Sequence, residues 1–203
     1  MLQFFRKNLF AQKILESNID VYQFLLGPDL EIQTEPYLRI TRPFKPKDNI
    51  GFHRDTFYGT GPGEISSVIP FVDLTEKSAL SVSPKSHVIP DHLFKLNQVV
   101  NSDVPKDSKR HQMGFLYAPK LMGPEIKDQV IPVPLKRGQA LVFMLSTIHG
   151  SEENQTNNPR WSTDIRVRNS LTPLNENMKA NYYKPLKVSA TAQTFEKITF
   201  TRF

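Results

Sequence analysis

Cysteine is absent from all 203 residues. That excludes disulfides, zinc–thiolate sites, iron–sulfur clusters and thiol nucleophiles, and leaves His, Asp and Glu as the available metal ligands. Long apolar runs are missing as well: no window approaches the ~18 apolar residues of a membrane span. The amino-terminal "MLQFFRKNLFAQKILESNIDVYQFLLG" threads charges through its apolar positions, unlike a secretory leader. A cytoplasmic protein without a membrane partner is therefore expected. Lys and Arg number 26 against 20 Asp and Glu, a net charge of +6, yet no block of five or six like charges forms. With no dense basic run and no recognisable nucleic-acid module, no nucleic-acid partner is expected. The excess charge instead suits a small, anionic substrate. Internal repeats and low-complexity tracts are also lacking, and nothing in the sequence signals an oligomeric state.

What is present divides into two textures. At 23.3 kDa the chain fits one domain. Over residues 4–26, apolar positions from Phe4 to Leu26 recur at spacings of three and four, which predicts one or two amphipathic helices ended by "GPD". Residues 1–36 form this helical flank, packed on the outside of the remaining chain. Then come short β-rich runs, "YLRITRPF", "EISSVIPFVDL", "ALSVSP", "QVIPVPL", "QALVFMLSTIHG", "WSTDIRVRNSL" and "KITFTRF", separated by Pro, Gly, Asn and Asp. That pattern predicts a mainly β sandwich or barrel, and sixteen prolines agree with it. Its core spans 37–170, with 171–203 as a carboxy-terminal extension. The polar, aperiodic stretch 91–128 reads as an insertion or lid between strands.

His53 and Asp55 stand two apart in "GFHRDTFYG". On an extended segment both point to one side and can offer a nitrogen and a carboxylate oxygen to one point. An HxD triplet alone is also an ordinary surface histidine beside a turn aspartate. His149 changes the balance, because it ends an apolar strand run just before "GSEEN" and can supply a third ligand. Two histidines and a carboxylate on one face of an octahedron are the arrangement of non-haem Fe(II) oxygenases, with three positions left open. Arg160, eleven residues on, can grip a carboxylate with its planar fork, and Ser151 can add a hydroxyl. Arg166 sits six residues from Arg160 and shares its strand face, with an ion pair to Asp164 as the alternative role. Arg39, on a strand before the HxD turn, and Tyr58, just after it, are candidates to face substrate; packing is the alternative for Tyr58. Arg54, between the two ligands, should point away. His87 reads as a loop-bonding residue, His92 and His111 as exposed, and Trp161 as packing on the opposite face from Arg160.

Taken in order, "GFHRDTFYG", "IPFVDLTEKSALSVSPKSH", "RGQALVFMLSTIHGSEEN" and "PRWSTDIRVRN" resemble the phytanoyl-CoA dioxygenase family of Fe(II)- and 2-oxoglutarate-dependent oxygenases, over roughly residues 37–170. Within it, the "STDIRVR" ending looks most like compact members from carbohydrate and aminoglycoside biosynthesis. The resemblance implies a double-stranded β-helix, the distorted, cupin-like jelly roll. It implies His53, Asp55 and His149 as iron ligands and Arg160 as the clamp on the distal carboxylate of 2-oxoglutarate. It also implies O2 as co-substrate and hydroxylation of a small polar metabolite, such as a sugar or nucleotide sugar. The carboxylate of Asp55 stands where related halogenases leave room for halide, so hydroxylation, desaturation or epimerisation is expected instead. A cupin-like metal-binding protein or a jelly-roll binding module without O2 chemistry is the alternative, and Arg160 separates the two.

Overall fold

In the computed structural model, which describes residues 1–58, 60–61, 63–95, 129–174 and 181–199 apart from the side chains of 58 and 196–199, the amino-terminal pattern forms three short helices. They are α1 (Leu2–Lys7), α2 (Phe10–Glu16) and α3 (Ile19–Leu26), where one or two were expected. The breaks have local causes. The amides of Asn8 and Asn18 turn back to donate to the carbonyls of Phe4 and Ile14, each at 2.8 Å. Leu9 adopts a left-handed backbone, φ 54°, which no helix continues through. Past Leu26 the chain turns at Gly27, whose φ of +96° favours glycine.

Nine strands come next among the described residues: β1 (Leu30–Gln33), β2 (Tyr37–Thr41), β3 (Ile65–Pro70), β4 (Leu80–Val82), β5 (Ile131–Val133), β6 (Leu141–Met144), β7 (His149–Ser151), β8 (Arg160–Asn169) and β9 (Tyr183–Lys187). All their pairings are antiparallel. The larger sheet runs β6-β3-β8-β1-β9 with β2 also on β8, and the smaller runs β5-β4-β7. The fold is thus mainly β, and the larger sheet extends past the expected 37–170 span at both ends.

The ten residues of β8 decide where everything else goes. Ile165 and Val167 point to one side, where they join Leu30, Ile32, Ile65 and Ile69 against Phe5, Ala11, Leu15 and Tyr22 of the helices. Each such aliphatic side chain, fully buried, contributes on the order of 1.5–3 kcal/mol. Ser67 also lies on this side, its hydroxyl 3.0 Å from that of Tyr22. Trp161 faces the helices too, beside Leu38 and Phe71, as alternation along the strand predicts. The opposite face carries Arg160, Ser162, Asp164 and Arg166, which line a pocket between the sheets with Leu80, His149 and Ser151 on its other wall.

Two expectations are corrected. "KITFTRF" is not a strand where it is described, because residues 197–199 end helix α4 (Ala190–Thr199). Its amino terminus is capped by Ser189, whose hydroxyl accepts the N–H of Ala192 at 3.1 Å. β1 and β9 were not read as strands. Of the expected insertion, Asp91–Leu93 form a 3-10 turn, and 96–128 lie outside the described residues, with His111 among them. Among the described residues no helix is long and apolar enough to cross a membrane.

Candidate metal centre

His53 and His149 meet because they are direct cross-strand partners. The N–H of His53 donates to the carbonyl of His149 at 2.9 Å and the His53 carbonyl accepts the N–H of His149 at 3.0 Å, an isolated antiparallel bridge on the free edge of β7. Opposed residues project their side chains to the same face, so the imidazole centroids stand only 4.4 Å apart. One bond further, the N–H of Ser151 reaches the carbonyl of Ile50 at 2.8 Å. Gly150 lies between them because the two backbones close here. A Cβ on it would come within 2.7 Å of Phe52 Cδ1 and 3.0 Å of that residue's Cα and N. Gly150→Ala is therefore expected to push the bridge apart, destabilising the protein by about 1–3 kcal/mol, as overpacking does. Thermal melting checks this, and an unchanged midpoint would contradict it.

The chain leaves the bridge into a 3-10 turn, Asp55–Tyr58, held by the bond from the Asp55 N–H to the Leu145 carbonyl at 2.9 Å. That turn brings Asp55 Oδ1 to 3.4 Å from His53 Nε2 and 3.8 Å from His149 Nε2. One ligand atom from each of the three buried residues lies within 4.8 Å of the others. The tautomers follow from the outer partners: His53 Nδ1 meets the Gly51 carbonyl at 2.8 Å and His149 Nδ1 meets the Thr147 carbonyl at 2.9 Å. A carbonyl only accepts, so each Nδ1 donates to it, and each Nε2 is the ring nitrogen turned toward Asp55 and placed to meet a metal. Such outer bonds are the usual orientation device for metal-binding histidines. Burial lowers the pKa of His149 to about 4, an effect that His53 reinforces and Asp55 opposes. Burial also works against ionisation of Asp55, but Arg166, then His53 and His149, outweigh it and hold the carboxyl well below its usual range. Two imidazole nitrogens and a carboxylate oxygen, all within 4.8 Å of one another, are a donor set that suits one divalent metal.

The other anticipated residues divide clearly. Arg160 is 5 % exposed, and its Nη1 donates to the Ser78 carbonyl at 3.3 Å. Its buried Nε has no partner, and no carboxylate pairs with it among the described residues. Burial pulls its pKa down, which Asp164 opposes and Arg39 reinforces. Ser151 accepts the Ile50 N–H at 3.0 Å and lines the pocket. Arg166 does not pair with Asp164. It stands 3.1 Å from Asp55 Oδ2, while Asp164 pairs with Arg39. Arg39 lines the pocket, its guanidinium 5.1 Å over the Tyr37 ring. The Tyr58 side chain lies outside the described residues. Arg54 points away from the ligands, to Asp91 and to the carbonyls of Ser86 and Ile89. His87 and His92 are exposed, and the loop bonds fall to Ser86 instead. Sequence reasoning missed Tyr182 and Gln33, which bond Arg166. Both come from segments not read as strands, and neither carries a local motif.

The sequence profile of the phytanoyl-CoA dioxygenase (PhyH) family matches residues 8–162. A search of curated protein sequences finds no match. Among solved structures, apo ThoJ, a non-heme monooxygenase, is similar with a TM-score of 0.66 at 18 % identity, over 89 % of this chain and 62 % of ThoJ. SnoN, a non-heme α-ketoglutarate-dependent epimerase from nogalamycin biosynthesis, gives 0.60 at 16 % identity, over 91 % of this chain and 72 % of SnoN. EvdO2 from Micromonospora carbonacea var. aurantiaca, complexed with 2-oxoglutarate, gives 0.54 at 17 % identity, over 83 % of this chain and 68 % of EvdO2. At these identities the likeness is one of fold. The chain spans less than two thirds of the length of ThoJ.

Proposed function

Since the chain belongs to the phytanoyl-CoA dioxygenase family, we propose that it is an Fe(II)- and 2-oxoglutarate-dependent oxygenase that hydroxylates a small polar metabolite. The two sheets read as the walls of a double-stranded β-helix. His53 Nε2, His149 Nε2 and Asp55 Oδ1 would hold the iron, and Arg160 the far carboxylate of 2-oxoglutarate. Bound together, the metal and co-substrate supply an O2-derived oxidant for a substrate C–H bond.

The single observation that carries this reading is Arg160: a buried guanidinium, without a carboxylate partner among the described residues, on the wall of the same pocket as the three converging ligands. A buried cation is costly unless paired, and a metal-binding cupin has no use for one there. The dicarboxylate meets that need, with its far end in the fork of Arg160. Ser151, whose hydroxyl proton is not spent on Ile50, can donate to a ligand oxygen. The rest of the chain's work is orientation and exclusion of water. Arg39 and Asp164, with side chains 28 % and 21 % exposed against 10 % for Asp55, form the wetter part of the pocket. A cation and an anion side by side suit a ligand rich in both donors and acceptors, such as a sugar or nucleotide sugar.

Anaerobic titration with Fe(II) and 2-oxoglutarate tests the reading. A weak visible charge-transfer band that needs both components is expected. A protein that binds metal yet gives no band and no 2-oxoglutarate binding is the cupin-like alternative.

A further inference from the structure

Asp55 offers two oxygens, and they have different partners. Oδ1 faces both histidine nitrogens, at 3.4 and 3.8 Å, while Oδ2 is 3.1 Å from Nη2 of Arg166. Arg166 is in turn held from three directions. Its Nη1 donates to the Tyr182 hydroxyl at 2.7 Å, its guanidinium lies 5.9 Å over that ring, and its backbone N–H donates to Gln33 Oε1 at 3.2 Å. Tyr182, just before β9, is itself tied down, its carbonyl accepting the N–H of Thr34 at 2.9 Å. The family match ends at residue 162, before either Arg166 or Tyr182.

We infer that Arg166, anchored by Tyr182, is a positioning residue for the metal ligand Asp55. It occupies Oδ2, so that Asp55 presents the metal with Oδ1 alone. The inference rests on the metal reading of the previous subsection. A carboxylate with both oxygens free can rotate about its last torsion or take two positions on an ion. Fixing one oxygen removes both freedoms. The same geometry separates the two arginines. Both terminal nitrogens of Arg166 have partners within the protein, whereas Arg160 keeps a buried Nε with none among the described residues. Arg160 is free to take an incoming carboxylate and Arg166 is not.

Co(II) serves as the probe, because its absorption spectrum reports ligand geometry without turnover. Two variants are compared with the unaltered chain: Arg166→Lys, which keeps the charge but loses the fork, and Tyr182→Phe, which removes only the anchoring hydrogen bond. Circular dichroism and thermal melting confirm that each is folded. Calorimetry is expected to show Co(II) binding weakened by about 10- to 100-fold in Arg166→Lys, the usual scale for outer-sphere partners. Tyr182→Phe should lose about 2- to 10-fold, in keeping with one hydrogen bond. The Co(II) spectrum should change in both, and 2-oxoglutarate affinity of the Co(II)-saturated variants should stay within about threefold of the original. Unaltered Co(II) affinity and spectrum in the folded variants would overturn the inference, and Tyr182→Phe alone decides it if Arg166→Lys does not fold. So would a loss of 2-oxoglutarate binding with Co(II) affinity intact, because Arg166 would then be the clamp. Absence of Co(II) binding in the unaltered protein would instead remove the metal reading, and this inference with it.

Discussion

Replacing His149 with alanine is expected to weaken divalent metal binding by about 10²- to 10³-fold and to abolish the Fe(II)–2-oxoglutarate absorption. The magnitude follows from sharing the ~10–16 kcal/mol of a four-ligand zinc site equally, about 2.5–4 kcal/mol for each ligand. The fold should survive. His149 is a buried neutral ring between His53 and Phe143, with centroids at 4.4 and 4.7 Å, so its loss costs packing but strands no charge. The metal-free variant should also respond differently to acid. In the native protein His149 titrates at about 4, against an ordinary 6.5. The unfolded chain therefore takes up this proton first. The stability that depends on a neutral His149 is full above about 6.5 and is lost as pH falls toward 4. Without His149 that part of the acid slope disappears. Thermal midpoints at pH 7 and 5, with and without the substitution, measure it. Equal slopes, or undiminished metal affinity, would count against His149 as a ligand.

How far the sequence reached depended on whether a feature was local. Alternation along β8 was enough to divide Arg160, Asp164 and Arg166 from Trp161, Ile165 and Val167, because period two is a property of the strand itself. The His53–Asp55 spacing likewise needed only the local chain. Register was not readable. That His53 lies opposite His149 depends on an isolated bridge between residues 96 positions apart in sequence, and only the order of motifs hinted at it. Charge pairing across strands was equally hidden. Spacing offered Asp164 to Arg166, but the two sit on one strand, and β2 instead brings Arg39 beside Asp164 while the 3-10 turn brings Asp55 to Arg166. β9 escaped notice because "YKPLK" contains a proline and two lysines, composition that is admissible at a sheet edge, where β9 lies. The helix at the carboxy terminus was masked by β-branched and aromatic residues. Its start is set by a tertiary contact, Asp29 accepting the backbone N–H of Ser189 at 2.6 Å.

Arg160→Met should affect function and stability in opposite directions. Binding of 2-oxoglutarate to the metal-loaded protein is expected to fall by about 10²- to 10⁴-fold, since losing one partner of a buried ion pair costs about 3–5 kcal/mol. The metal-free, ligand-free protein should become more stable, not less. In that state Arg160 is a buried cation with, among the described residues, a single carbonyl contact at 3.3 Å and an Nε with no partner. An apolar side chain of similar size relieves that penalty, by about 1 kcal/mol or more on the scale seen when buried ionic groups are replaced by hydrophobic ones. Metal affinity should be little changed, because Asp55 is held by Arg166 rather than Arg160. Arg160→Lys should not restore 2-oxoglutarate binding, because a point charge lacks the planar fork that matches a carboxylate. Calorimetry with 2-oxoglutarate and melting of the ligand-free protein make the comparison. A residue that merely braced the fold would lose stability on replacement and leave co-substrate affinity intact, the reverse of both expectations.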